Sequence, residues 1–152
     1  MKPIETERLI LRDFAPSDGG ALYAYLSDPE TVWFEPYPPF SREEAEWEAA
    51  RRAGDPAFVA VCLKSGELIG NLYLSPEEDG CRELGYVFNR AYRRRGYAAE
   101  AARALIAAAF DAGAEQIIAG CAVQNEASWR LLERLGFALE SETPRALYFK
   151  LN

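Results

Sequence analysis

The chain has 152 residues with 24 acidic and 17 basic side chains, a formal net charge of −7, and no histidine. Its length suits one domain, residues 1–152, with a sizeable core. The acidic balance argues against nucleic acid as a partner, because a phosphate backbone is met by a broad basic face. Without histidine the usual general base, Ser-His-Asp and Cys-His sites and the commonest metal ligand are all missing, so no metal is expected. Cys62, Cys81 and Cys121 form no CxxC pair and suggest neither a disulfide framework nor a zinc site. The longest apolar run, Ala104–Phe110, is far too short to span a membrane, and the N-terminus lacks the apolar core of a secretory signal. The expectation is a cytoplasmic protein with no membrane partner.

In chain order, "RLILRDF" (Arg8–Phe14) alternates apolar and charged residues, as a half-buried strand does. "APSDGGALYAYLSDPE" reads as a helix with Ser17 or Asp18 at its N-cap and Pro29 beyond its end. The aromatic, proline-rich "VWFEPYPPF" is a loop. "SREEAEWEAARRAG" opens with Ser41 and carries Glu44 three residues later, the spacing of a capping box. "AFVAVCL" and "ELIGNLYL" are strands joined by the turn "KSGE", and "CRELGYVF" (Cys81–Phe88) is a third. A helix then carries Ala101, Ala102, Leu105, Ile106, Ala109 and Phe110 on one face and ends at Gly113. "EQIIAGCAV" is a strand, parallel to its predecessor if the helix is a right-handed crossover. "NEASWRLLERLG" is a short helix, and "FALESE" with "RALYFKLN" closes the chain as a strand pair. The fold class is mixed α/β with one βαβ unit late in the chain. The last strand is free either to complete the sheet or to pair with a second copy as a homodimer.

One stretch departs from the acidic balance. Arg93, Arg94 and Arg95 stand side by side, followed by Gly96 and the alanine-rich helix. A helix start leaves backbone N–H groups unpaired and favours negative charge, glycine lets a ligand approach the backbone, and arginine supplies forked donors. The pattern reads as a phosphate or pyrophosphate site; a charge run of this kind is otherwise a solvated face. Neither GxxxxGK[ST] nor GxGxxG is present. Arg93-x-x-Gly96-x-Ala98 does fit Q/R-x-x-G-x-G/A, and "TERLILR", "SDPETVWF", "PPFSREEAE", "ELGYVF", "RRRGYAAEA" and "NEASWRLLERLGF" follow in order nearly end to end. On these motifs the chain resembles the GNAT superfamily of N-acetyltransferases, in the branch of the ribosomal-protein serine/alanine N-acetyltransferases.

The resemblance implies a mostly antiparallel sheet whose central parallel strands splay to admit acetyl-CoA, used as co-substrate. It places the pyrophosphate on Arg93, Arg94, Arg95, Gly96, Tyr97 and Ala98. The pantetheine arm and thioester carbonyl fall on the backbone of Val87 and Phe88, and Asn125 and Ser128 match the family's N-x-x-S. Asn125 would bind the pantetheine amide. Ser128 would protonate or stabilise the leaving thiolate, or else cap the helix that follows. With no histidine, the amine's proton goes to a carboxylate, a tyrosinate or relayed water. Glu83 is the candidate, on the same strand face as Gly85 and Val87 and opposite Tyr86, the alternative being a solvated or ion-paired side chain. Trp33, Phe34 and Tyr37 are candidate acceptor contacts or core caps, with Glu30 or Glu35 attracting a cationic amine. The implied activity is acetyl transfer to a primary amine, either a protein or peptide N-terminus or a small molecule, by direct attack in a ternary complex. A non-catalytic acyl-CoA sensor is the alternative.

Overall fold

In the computed structural model, which describes Met1–Asn152 throughout, the alternating segments form one eight-stranded sheet. Its strands are β1 (Ile4–Glu5), β2 (Leu9–Asp13), β3 (Phe58–Leu63), β4 (Leu68–Leu74), β5 (Cys81–Phe88), β6 (Gln116–Ala122), β7 (Ala138–Glu142) and β8 (Ala146–Leu151). The helices are α1 (Gly19–Leu26), α2 (Arg42–Ala53), α3 (Tyr97–Asp111) and α4 (Glu126–Arg134). Across the sheet the order is β1-β2-β3-β4-β5-β6-β8-β7, and every neighbouring pair is antiparallel except β5 with β6. The mixed, mostly antiparallel α/β architecture with one βαβ unit is therefore the one expected. The two-residue β1 is too short to leave a periodic signal. β8 lies between β6 and β7 with both edges paired, so "RALYFKLN" completes the sheet, and β7, exposed along its length, takes the edge.

Local chemistry sets the helix ends. Ser41 Oγ accepts from the Glu44 N–H at 3.1 Å and Glu44 Oε1 accepts from the Ser41 N–H at 2.9 Å, completing the capping box of α2. α3 stops at Gly113, whose φ of 107° lets Gly113 N–H reach Phe110 O and Ala114 N–H reach Ala109 O, both at 3.0 Å. Asp18 occupies the position before α1 but does not cap it. Its carboxylate instead accepts from the Ala15 N–H and, through both oxygens, from Arg12.

The sheet has helices on both faces. α3 and α4 cover one face, where Ala101, Ala102, Leu105 and Leu132 join Leu9, Val61, Leu72 and Phe149. α1 and α2 cover the other, where Leu22, Tyr25, Ala45 and Ala49 meet Ala60 and Cys62. Alanine at three of the five buried positions of α3 lets the helix axis lie close to the strands. That fixes where α3 begins relative to the end of β5. Within the α1/α2 layer, Arg52 lies 4.4 Å over the Phe58 ring and donates to Glu48 at 2.6 Å. Arg51 binds the same carboxylate at 2.7 Å, while Arg52 Nη1 has no partner.

The feature that positions the site is a failure of pairing. β5 and β6 are in register only from Cys81↔Gln116 to Glu83↔Ile118. Beyond that point both strands continue, β5 to Phe88 and β6 to Ala122, with no ladder between them.

Candidate active site

At the end of β5 the chain makes a short 3-10 turn, Arg90–Tyr92, and then enters the arginine loop. Arg94 has φ of 64° and Gly96 φ of 81°, so two left-handed residues bracket Arg95 and turn the chain into α3. A non-glycine residue held there is strained, a condition that clusters at ligand sites. The backbone N–H groups of Arg94 through Ala99 donate to no acceptor in the chain; the first bond of α3 comes from Glu100 N–H to Gly96 O. Such a run of free donors at a helix N-terminus is a fitting seat for a pyrophosphate.

Arg8 holds this loop from the far side of the sequence. Its Nη1 donates to the Arg95 carbonyl at 2.8 Å, its Nε to Glu100 at 2.7 Å, and its guanidinium lies 4.4 Å from the Tyr97 ring centroid. Glu100 also accepts from Thr6 Oγ1 and from the Arg8 N–H. Burial alone would raise the Glu100 pKa, but those three hydrogen bonds and the Arg8 charge together hold it low. Arg8, Arg94, Arg103 and Arg134 line one open basic depression of about 700 Å³ around Gly96. Arg93 points elsewhere: its Nη2 lies 3.4 Å from the Phe88 carbonyl, bridging the loop to the strand end. The three adjacent arginines therefore divide, with Arg94 in the depression and Arg93 on β5.

Between the splayed strands lies a second cavity, of about 170 Å³, lined by residues that include Glu83, Tyr86, Cys121, Asn125, Ser128 and Glu35. Asn125, not Ser128, caps α4: its Oδ1 accepts from the Ser128 N–H at 3.4 Å. Ser128 is thereby freed of the capping role. Its Oγ lies 2.7 Å from the Tyr86 hydroxyl, which is also 3.1 Å from the Ser128 carbonyl. Burial pushes the Tyr86 phenol up to about 12, partly opposed by its bond to Ser128. Burial likewise raises the Cys121 thiol, so neither group ionises near neutrality.

The ladder between β4 and β5 decides which backbone groups face this cavity. Ser75 N–H bonds Glu83 O and Asn89 N–H bonds Ile69 O, so the odd-numbered residues of β5 exchange their bonds with β4. The Val87 main chain is thus spent on Asn71. Tyr86 and Phe88 turn theirs toward the splay, and the backbone donors looked for at Val87 and Phe88 fall on Tyr86 and Phe88 instead. The side chains are core, as expected: Phe88 is buried on the α3 face and Val87 packs on the α1/α2 face.

Glu83 is exposed at the cavity wall, its N–H donating to Ser75 Oγ at 2.7 Å. Glu35 reaches the same cavity from the loop between α1 and α2 and is half-buried. Burial raises its pKa, against the Tyr37 hydroxyl at 3.5 Å and the charge of Arg52. Of the three aromatics considered as acceptor contacts, Phe34 lines the cavity. Tyr37 packs edge-on against Phe40 over the α1/α2 core, and Trp33 is 74% exposed. The loop is tied to the arginine segment, because Arg90 pairs with Asp28 at 3.0 Å and with Glu30 at 2.6 Å.

The same chain fold occurs in known proteins. The model of the acetyltransferase (GNAT) domain matches residues 8–138. The chain belongs to the GNAT family of N-acetyltransferases. Among its relatives is an uncharacterized N-acetyltransferase, YnaD, of Bacillus subtilis, 33% identical over 141 residues that cover 90% of this chain and 83% of that one. A GNAT-family acetyltransferase from Bacillus anthracis superposes with a TM-score of 0.92 at 28% identity, covering 98% of this chain and 97% of the other. The ribosomal-protein-S5-alanine acetyltransferase of Vibrio fischeri shares the fold, with a TM-score of 0.83 at 19% identity over 99% and 96% of the two chains. In GNAT terms, Arg93-x-x-Gly96-x-Ala98 sits at the start of α3 and N-x-x-S at the start of α4. No helix is long and apolar enough to cross a membrane.

Proposed function

We propose that residues 1–152 act as one domain that transfers an acetyl group from acetyl-CoA to a primary amine, by direct attack in a ternary complex. The observation that carries this reading is the β5/β6 splay opening onto the unpaired amides of Arg94 through Ala99. The thioester supplies an activated acetyl group. The chain supplies the rest: Arg94 and the α3 amides hold the diphosphate, with Arg95, Gly96, Tyr97 and Ala98 giving the backbone path, while Arg93 braces the strand end. Phe88 and Tyr86 offer main-chain groups along the splay, one N–H of which stabilises charge that develops on the carbonyl oxygen. Asn125 orients the pantetheine arm from the α4 cap. Ser128, positioned by Tyr86, delivers a proton to the departing sulfur. A raised Cys121 pKa speaks for direct attack over an acyl-enzyme. Glu83 and Glu35 are the carboxylates at the cavity that can receive the amine's proton.

Calorimetric titration with acetyl-CoA tests the reading. Binding in the micromolar range is expected for the wild type, weakened roughly tenfold in Arg94→Gly for loss of one charge-assisted contact. Glycine at φ of 64° removes the charge and adds no backbone strain, so the loss reports on binding alone. Absence of binding in the wild type would sink the proposal. Thiol release with a primary amine separates an enzyme from a sensor that binds without turnover.

A further inference from the structure

We propose that Glu35, rather than Glu83, receives the acceptor's ammonium group and takes its proton before attack. This deepens the acetyltransferase reading and rests on it.

Placement is the first reason. The loop that carries Glu35 packs through Tyr37 and Phe40 on the α1/α2 face, while Ser128 joins Tyr86 on the α3/α4 side. Glu35 and Ser128 line the same cavity in the splay and reach it from different elements, the loop before α2 and the start of α4. Acyl transfer passes through a tetrahedral carbon that carries nitrogen and sulfur together, so a base for the nitrogen and an acid for the sulfur belong at one cavity, and Glu35 and Ser128 meet that condition. Glu83 lines the same cavity but is exposed, on the strand itself.

Environment is the second. A carboxylate that deprotonates an ammonium works best with a pKa drawn upward toward the working pH, which partial desolvation achieves. Glu35 is half-buried and shifted upward by that burial. The groups facing it are Tyr37 on its own loop, Arg52 from α2, Tyr86 and Glu83 from β5 and Cys121 from β6. Arg52 is the cation among them, and it is already tied to Glu48 at 2.6 Å. A second cation is therefore welcome beside Glu35. Phe34, which lines the cavity, gives that position aromatic surface that also favours a cation. The acceptor class follows: cationic primary amines carrying an apolar or aromatic flank.

The step balances. One N–H bond of R–NH3⁺ breaks, an O–H bond forms on Glu35, and the electron pair stays on nitrogen. Nitrogen attacks the thioester carbonyl, the C–N bond forms and the C–S bond opens. Ser128 gives its hydroxyl proton to sulfur and takes the second proton released by nitrogen. Glu35 returns its proton to water, so the ammonium and acetyl-CoA yield the acetamide, free CoA and one H⁺.

The test uses the full-length protein with phenethylamine as acceptor and Glu35→Gln beside Glu83→Gln. Glu35→Gln is expected to lose roughly a hundredfold in kcat, the scale of one acid–base group, with acetyl-CoA affinity unchanged within about twofold. Its rate should then climb about tenfold per pH unit toward the amine's own pKa, because only the neutral amine reacts. Glu83→Gln should lose at least about tenfold less in kcat than Glu35→Gln. A readout independent of turnover is the Glu35 side-chain carboxyl ¹³C resonance. Phenethylammonium should shift it in the CoA-bound protein, and 2-phenylethanol should not. Wild-type rate and pH profile in Glu35→Gln, the loss falling on Glu83→Gln instead, or an unmoved Glu35 resonance would each overturn the assignment. Failure of acetyl-CoA to bind the wild type is a different outcome, and it removes the reading underneath.

Discussion

The Tyr86 and Ser128 hydroxyls meet at 2.7 Å although 42 residues separate them in the chain. Burial pushes the phenol up to about 12, so it remains protonated across any practical assay range and acts as a hydrogen-bond partner, not as a base. Its role is to hold the Ser128 Oγ toward the splay. Tyr86→Phe keeps the ring in the core and removes that single contact. If Ser128 donates the proton as proposed, kcat should fall about tenfold with acetyl-CoA affinity unchanged, the mark of a positioning residue. The alkaline limb of the pH–rate profile should be the same in both proteins, since Tyr86 does not titrate there. Stopped rates across pH 6–10 check both points, and a kcat equal to the wild type would free Ser128 of any dependence on Tyr86.

Among the elements, α2 shows how one buried network carries both stability and pH dependence. Burial would raise the Glu48 pKa, but the hydrogen bonds and charges of Arg51 and Arg52 outweigh it and hold the carboxyl low. A carboxyl whose folded pKa lies below its unfolded value stabilises the fold above the ordinary carboxylate range, about pH 4.3. That contribution is lost as pH falls through the folded value. Glu48→Ala should cost about 3 kcal/mol at pH 7, because it leaves Arg52 buried without its ion-pair partner. Glu48→Gln should flatten the loss of stability below pH 5. Urea unfolding at pH 7 and pH 4 measures both. The capping box of this helix was legible in the sequence, as were the bounds of β5, because caps and strand alternation are local signals. What local signals omit is visible in the same elements. Asp18 looked like a cap yet serves Arg12 and Ala15. The place of β8 inside the sheet depends on contacts with β6 that no periodicity records. At the site, Gly96 and N-x-x-S were readable as motifs. Arg8 and Tyr86, by contrast, enter only through partners 87 and 42 residues away.

At the scale of the molecule, the loop between α1 and α2 and the arginine loop are joined by Arg90. Its guanidinium pairs with Asp28 and Glu30, and Asp28 in turn accepts from the Glu30 N–H at 3.1 Å and from Thr31 Oγ1 at 3.0 Å. Burial would raise Asp28, but Thr31, the Glu30 amide and Arg90 keep it ionised. Exposed ion pairs of this kind contribute at most about 1 kcal/mol to stability. Their consequence is positional. Arg90 lies three residues before Arg93, so whatever orders the arginine loop also draws on residues 28–40, where Phe34 and Glu35 meet the splay. Two sites coupled through one shared contact should respond to each other's ligand. In the wild type, acetyl-CoA should slow amide exchange over residues 28–40 as well as at the start of α3. In Arg90→Gln the unfolding free energy should stay within about 0.5 kcal/mol of the wild type. Protection at the start of α3 should persist, while that over residues 28–40 should vanish. Hydrogen exchange with and without acetyl-CoA reads both regions in one experiment. Equal protection of residues 28–40 in the two proteins would show that this loop is ordered without Arg90, leaving the two ion pairs as surface electrostatics alone.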